Sequence, residues 1–161
     1  MLRRRFYPLF CLLGLVSLAV LTGCGSAMKL GGVTASVLSI RAVPPGKPDA
    51  KVLMTLRFTN ENVVPIGFSR ARHKLYLNDR LIADFRNEQP VGIPPLSTAN
   101  QEIVLPLEKA DGMATLREIA QHPQASYRIE STLYVEAGED TMEIRAKHQG
   151  SVDLVGFQPS S

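Results

Sequence analysis

From Val33 onward, apolar and polar residues alternate with period two, and Pro and Gly interrupt the alternation before any long helical stretch can form. Such a pattern predicts strands with one face in a core and the other in water. It is clearest in Lys51–Asn60, where Val52, Met54, Leu56 and Phe58 fall on one face and Lys51, Thr55, Arg57 and Thr59 on the other; only Leu53 departs from it. In Ser126–Glu136 the inward set is Tyr127, Ile129, Leu133 and Val135, and in Thr141–Lys147 it is Met142, Ile144 and Ala146, with Gly138-Glu139-Asp140 joining the two as a hairpin. Further strands are predicted at Val33–Val43, His73–Asn78, Leu81–Arg86, Ala99–Leu107 and Ser151–Phe157, with a tight turn at Asn78-Asp79. One helix is expected from about Gly112 to His122. Asp111 would cap it, Met113, Leu116, Ile119 and Ala120 would form its apolar stripe, and Pro123 would end it. Seven or eight short strands with regularly spaced turns define a mainly β fold, an antiparallel β-sandwich.

The N-terminus follows a different pattern. Arg3, Arg4 and Arg5 precede a sixteen-residue apolar stretch from Phe6 to Leu21, and small residues then lead into Cys24, which is the layout of a secretory signal. The apolar stretch is shorter than the roughly 20 residues that cross a hydrocarbon core. Leu21-Thr22-Gly23-Cys24 resembles the lipobox of bacterial lipoproteins. That resemblance implies a thioether-linked diacylglycerol on Cys24, cleavage just before it and acylation of the new amino group. Several acyl chains hold far more firmly than a single myristoyl group, so the membrane becomes a partner through the lipid. Gly25 stands where an Asp would retain a lipoprotein in the inner membrane, which resembles those sorted to the outer membrane and facing the periplasm. The expected organisation is a signal peptide over 1–23, a lipidated flexible tether over 24–32, a sandwich domain over 33–157 and a tail over 158–161. Gly25–Gly32, the eight residues that follow the lipidated cysteine, span at most about 26–29 Å when fully extended.

Removing the signal changes the bulk numbers. The chain has 18 Lys+Arg and 15 Asp+Glu, and without Arg3, Arg4 and Arg5 the basic residues also number fifteen. The basic isoelectric point therefore belongs to the signal, and no basic run is left to indicate nucleic-acid binding. Of the two cysteines, Cys11 leaves with the signal and Cys24 is blocked by lipid, so disulfides, zinc thiolates and thiol nucleophiles are not expected within the domain. The 138 residues from Cys24 onward suit one domain with one core.

Phe58-Thr59-Asn60-Glu61-Asn62-Val63-Val64-Pro65-Ile66, followed by Leu75-Tyr76-Leu77-Asn78 and Leu81-Ile82-Ala83, resembles the water-stress and hypersensitive-response (WHy) domain of the group 2 late embryogenesis abundant proteins. Asn60 and Asn62 match the outer positions of that family's Asn-Pro-Asn turn, Glu61 replaces its central proline, Pro65 follows a few residues later, and Ile93-Pro94-Pro95 stands where Ile-Pro-Ala is usual. The resemblance covers about residues 33–155. It implies an immunoglobulin-like or fibronectin type III-like sandwich with one helix, a link to desiccation and stress tolerance, and no reaction. The residues also have a plain physical reading: Asn60 and Asn62 end a strand and redirect the chain, and Pro65, which has no amide hydrogen to donate, keeps the next segment at an edge or in a loop.

Candidate chemistry is sparse. His73, His122 and His148 have no metal-ligand spacing, so no metal and no cofactor beyond the lipid on Cys24 is expected. His73, between Arg72 and Lys74, reads as solvated, and Asp84 and Glu88, flanking Arg86, read as a charged edge. No nucleophile elbow, phosphate loop or paired-carboxylate signature is present, so an enzyme is not expected. Val91, Ile93, Pro94, Pro95 and Leu96 make up the one apolar loop of note, a candidate contact patch or a cover for one end of the sandwich. Two further readings stand beside stress protection: a subunit of an envelope assembly, with an envelope protein as partner, and a small-ligand carrier with a cavity between the sheets.

Overall fold

The alternation along Lys51–Asn60 is realised in full: Val52, Met54, Leu56 and Phe58 are buried, and Asn60, at the next position of the same parity, is buried with them. The computed structural model describes residues 31–45, 50–107, 111–122, 124–137 and 140–157. In chain order its elements are β1 (Val33–Val43), β2 (Lys51–Asn60), β3 (Ile66–Phe68), β4 (Arg70–Leu77), β5 (Arg80–Asn87), β6 (Val91–Ile93), β7 (Ser97–Val104), α1 (Gly112–Ile119), β8 (Ala125–Ala137), β9 (Asp140–Val152) and β10 (Leu154–Val155). Two four-stranded sheets, β10-β1-β2-β7 and β5-β4-β8-β9, enclose one core, and β3-β6 forms a small third sheet. The fold is a β-sandwich. Cys24, the signal and most of the tether lie outside the described residues, as do Pro123, Gly138, Glu139 and the tail.

Side chains from both sheets interleave in the core. Ile40, Met54, Leu56 and Phe58 of the first sheet meet Leu75, Leu77, Ile129 and Leu133 of the second, all without solvent exposure. Leu116 and Ile119 of α1 join the same cluster, with Ala120 buried beside them and Met113 packed at its margin.

Four expectations change. The predicted strands Thr141–Lys147 and Ser151–Phe157 are instead one thirteen-residue strand, β9, followed by the two-residue β10, because His148, Gln149 and Gly150 stay in register with Ile129, Arg128 and Tyr127. The sandwich is not wholly antiparallel, since β10 pairs parallel to β1 through Ile40–Leu154 and Arg41–Val155. Asp111 precedes α1 without a side-chain cap; its carbonyl accepts the Thr115 amide, and the helix stops at Ile119. Val91–Ile93, read as loop, is strand β6 paired with β3. β3, directly after Pro65, pairs with β6 alone, in keeping with the edge position expected for that segment.

Asn78 and Asp79 both take left-handed backbone angles, φ 46° and 62°, in the β4–β5 turn. Just after β10, Gly156 has φ +76°, and a Cβ there would stand 3.0 Å from both the Ala42 carbonyl oxygen and the Pro45 Cβ. Gly156→Ala is therefore expected to cost about 1–2 kcal/mol through the left-handed backbone and the close approach to β1. Urea unfolding measures it, and an unchanged midpoint at unchanged slope would contradict this account of the position.

Candidate functional site

The buried amide of Asn60 organises one end of the sandwich. Because β2 places every second residue inward, the Asn60 side chain follows Phe58 into the protein and is 1% exposed. Its Nδ2 donates to the carbonyl oxygens of Val64 (2.8 Å), Pro94 (3.1 Å) and Ile93 (3.3 Å). Its Oδ1 accepts from the backbone N–H and the Nδ2 of Asn62, both at 2.9 Å. The Asn62 carbonyl in turn accepts the Leu96 amide at 3.0 Å. The motif turn Asn60, Asn62, Pro65 and the apolar loop Val91, Ile93, Pro94, Pro95, Leu96, some thirty residues apart in sequence, are thus one assembly.

Within this assembly Ile93 is buried, Val91 is half-buried, and Pro65, Pro94 and Pro95 are exposed. Val63 and Leu96 are 78% and 70% exposed, which leaves two bare aliphatic side chains on adjoining backbone. Leu96 also holds a left-handed backbone, φ 49°, a conformation costing an ordinary L-residue about 1–2 kcal/mol. Chain entry lies at the same end: the Gly32 carbonyl accepts the Glu61 amide at 2.8 Å, and Val33 pairs with Asn60.

The second polar feature is internal. His73 is 0% exposed, contrary to the solvated reading, because Ala71, His73, Leu75 and Leu77 share the inward parity of β4. Ser131 lies inward in the same way between Ile129 and Leu133, and His73 Nδ1 and Ser131 Oγ are 2.8 Å apart on paired strands. The ring sits between Phe85 (centroids 5.3 Å apart) and Phe58 (6.2 Å), and its Nε2 has no hydrogen-bond partner. Burial lowers its pKa from 6.5 to about 4, so the ring is neutral at pH 7. A serine beside a histidine has the form of a nucleophile and base, but with Ser131 only 3% exposed the pair is sealed from substrate and instead joins β4 to β8.

On the outer face of the second sheet, register gathers charges that lie apart in sequence. Arg72, Lys74, Glu130, Thr132, Arg145 and Lys147 line an open depression of about 390 Å³. The chain thus carries a locally basic face, which no sequence run revealed. It is largely compensated internally. Arg72 holds Asp84 through two 2.8 Å hydrogen bonds, which keep that carboxyl below its ordinary pKa and raise that of the guanidinium. Lys74 also approaches Asp84 (3.8 Å), while Glu130 pairs with Arg128 and lies 3.8 Å from Lys147. Arg128 covers the Tyr76 ring at 3.7 Å. Among the described residues, no group of three or more His, Cys, Asp or Glu side chains could hold a metal.

This two-sheet arrangement is shared with known structures. The solution structure of AT1g01470 from Arabidopsis thaliana matches with a TM-score of 0.55 and 14% identity, over 79% of this chain and 83% of that one. The solution structure of "a putative late embryogenesis abundant (LEA) protein At2g46140.1" matches with a TM-score of 0.52 and 13% identity, over 92% of this chain and 86% of that one. At such identities the likeness is one of fold. The sequence matches no protein-family model and no curated protein.

Proposed function

We propose that this chain is a lipid-anchored protein of the bacterial cell envelope whose WHy-like sandwich acts without catalysis, in protection of its surroundings during water loss. The observation that carries the reading is the sandwich itself, similar to the solved structure of a protein described as late embryogenesis abundant. The lipobox-like Leu21-Thr22-Gly23-Cys24 supports the anchor, and the Asn60-centred turn gives the WHy-like motif a structural purpose. The lipid confines the domain to a thin layer at the outer membrane, where a high local concentration lets weak polar contacts act on neighbouring surfaces. A packed core between the sheets favours protection over carriage of a small ligand.

Two measurements test the reading separately. Radiolabelled palmitate is expected to enter the wild-type chain and not Cys24→Ala, and only the wild type should sediment with membranes. The purified domain is expected to preserve a drying-sensitive enzyme better than an unrelated β-sandwich at equal mass. Equal preservation by the two sandwiches would end the protective role while leaving the anchor intact.

A further inference from the structure

Resting on the lipid anchor at Cys24, we infer that the Val63/Leu96 end of the sandwich is a membrane-contact tip that seats in the bilayer interface and holds the domain upright. Two adjoining aliphatic side chains, 78% and 70% exposed, project there beside the exposed Pro65, Pro94 and Pro95. Exposed aliphatic residues singly are ordinary; here they are clustered on a rigid base, the Asn60 hydrogen-bond assembly. Leu96 keeps a left-handed backbone where Gly or Asn would be less strained, and its side chain contributes little to the core in return.

The position of the chain entry selects the occupant. Because Gly32 is hydrogen-bonded to Glu61, the tether leaves the domain at this tip. Eight residues from the lipidated cysteine reach at most about 26–29 Å. The ten residues of β2 separate the tip from the opposite end by roughly 33 Å. An inverted domain would hold the tip farther from the bilayer than the extended tether can reach. The tether therefore keeps the tip within reach of the surface that carries the anchor, and burying its apolar side chains in the interface is what turns it toward that surface. The exposed charges at this end are Glu61 beside Val63 and, on the second sheet, Arg70, Glu88 and Glu136, a set with more carboxylates than cations, so the contact is driven by apolar burial and not by attraction to anionic headgroups.

Lipidated full chains with a single added cysteine, Leu96→Cys or Val63→Cys, carry an environment-sensitive fluorophore and are reconstituted into phosphatidylcholine vesicles containing a nitroxide-labelled lipid. Asp79→Cys, in the turn at the far end of β4, is the control. The nitroxide is expected to quench both tip positions roughly threefold more than the control, with little change between 50 mM and 500 mM salt, since apolar contact is not screened. Equal quenching at tip and control in membrane-bound protein would overturn the tip while leaving the anchor standing. A tip probe shielded from water yet unquenched would overturn it in favour of contact between copies of this chain. Failure of palmitate to label the chain would remove the anchor and the tip together.

Discussion

Asn60→Asp is expected to destabilise the fold by about 3–5 kcal/mol at pH 7, because the amide that faces three carbonyl oxygens would give way to a carboxyl group that has to keep its proton to be buried there. Side-chain volume barely changes, so the loss isolates the hydrogen-bond polarity. A carboxyl in that position is held protonated in the folded state, where it can still donate one hydrogen bond. The folded variant would then bind more protons than its unfolded chain, and its stability would fall as the pH rises through the ordinary Asp range. The deficit relative to wild type is therefore expected to be smaller at pH 4 than at pH 7. Asn60→Ala, which adds no charge, should cost less, about 1–3 kcal/mol for the groups left unpaired. Equilibrium urea unfolding of the three proteins at both pH values measures this. A deficit for Asn60→Asp no larger than that for Asn60→Ala at pH 7 would refute the assignment of the amide as organiser of this end.

Acid is expected to destabilise the wild-type domain through His73 before the carboxylates contribute. The unfolded chain takes up a proton at this residue near pH 6.5, the folded chain only near pH 4. Between those values the unfolded state holds more protons, so the sign is definite: stability is full above pH 6.5 and declines as the pH falls. Over that window the loss from this one group amounts to about 3 kcal/mol. Asp84, whose pKa Arg72 holds below its ordinary 3.8, gives up its contribution only at lower pH, outside the window. The double variant His73→Leu/Ser131→Ala replaces both partners of the buried pair with apolar groups, a change that can be nearly neutral at pH 7. Its stability is expected to stay flat between pH 6.5 and 4.5 where that of the wild type declines. Parallel pH dependence in the two proteins would show that the imidazole is not the acid-sensitive group.

Strand parity was the readable part of this fold. The inward residues of β2 and β8 follow from period two alone, and so does the β8–β9 hairpin. The same parity also places Asn60, His73 and Ser131 inward, one step along from Phe58, one step before Leu75 and between Ile129 and Leu133. Polarity gave Asn60 a turn reading, which holds because its Oδ1 accepts the Asn62 amide, and gave His73 a solvent reading, which alternation overrules. What alternation could not supply was partnership. Asn60 reaches carbonyls 33 and 34 positions away, β3 and β6 are three residues each and meet only through tertiary pairing, and the basic face combines residues 72–74 with 145–147. Each of these is created by register between distant strands, which no local window contains. Charge compensation depends on the same register, since Asp84 beside Arg72 and Lys147 beside Glu130 stand on adjacent strands.

The two-residue strand that completes the first sheet also dictates when the molecule can be finished. Ile40 finds its parallel neighbour in Leu154, 114 positions later, so the outer rim of β1 stays open until nearly all of the polypeptide has emerged. The β1–β2 and β4–β5 hairpins, one in each sheet, can assemble earlier from near neighbours. Pairing of Ile40 and Arg41 on that rim is consequently a late event in folding, and until it occurs their outward backbone groups are open to another chain.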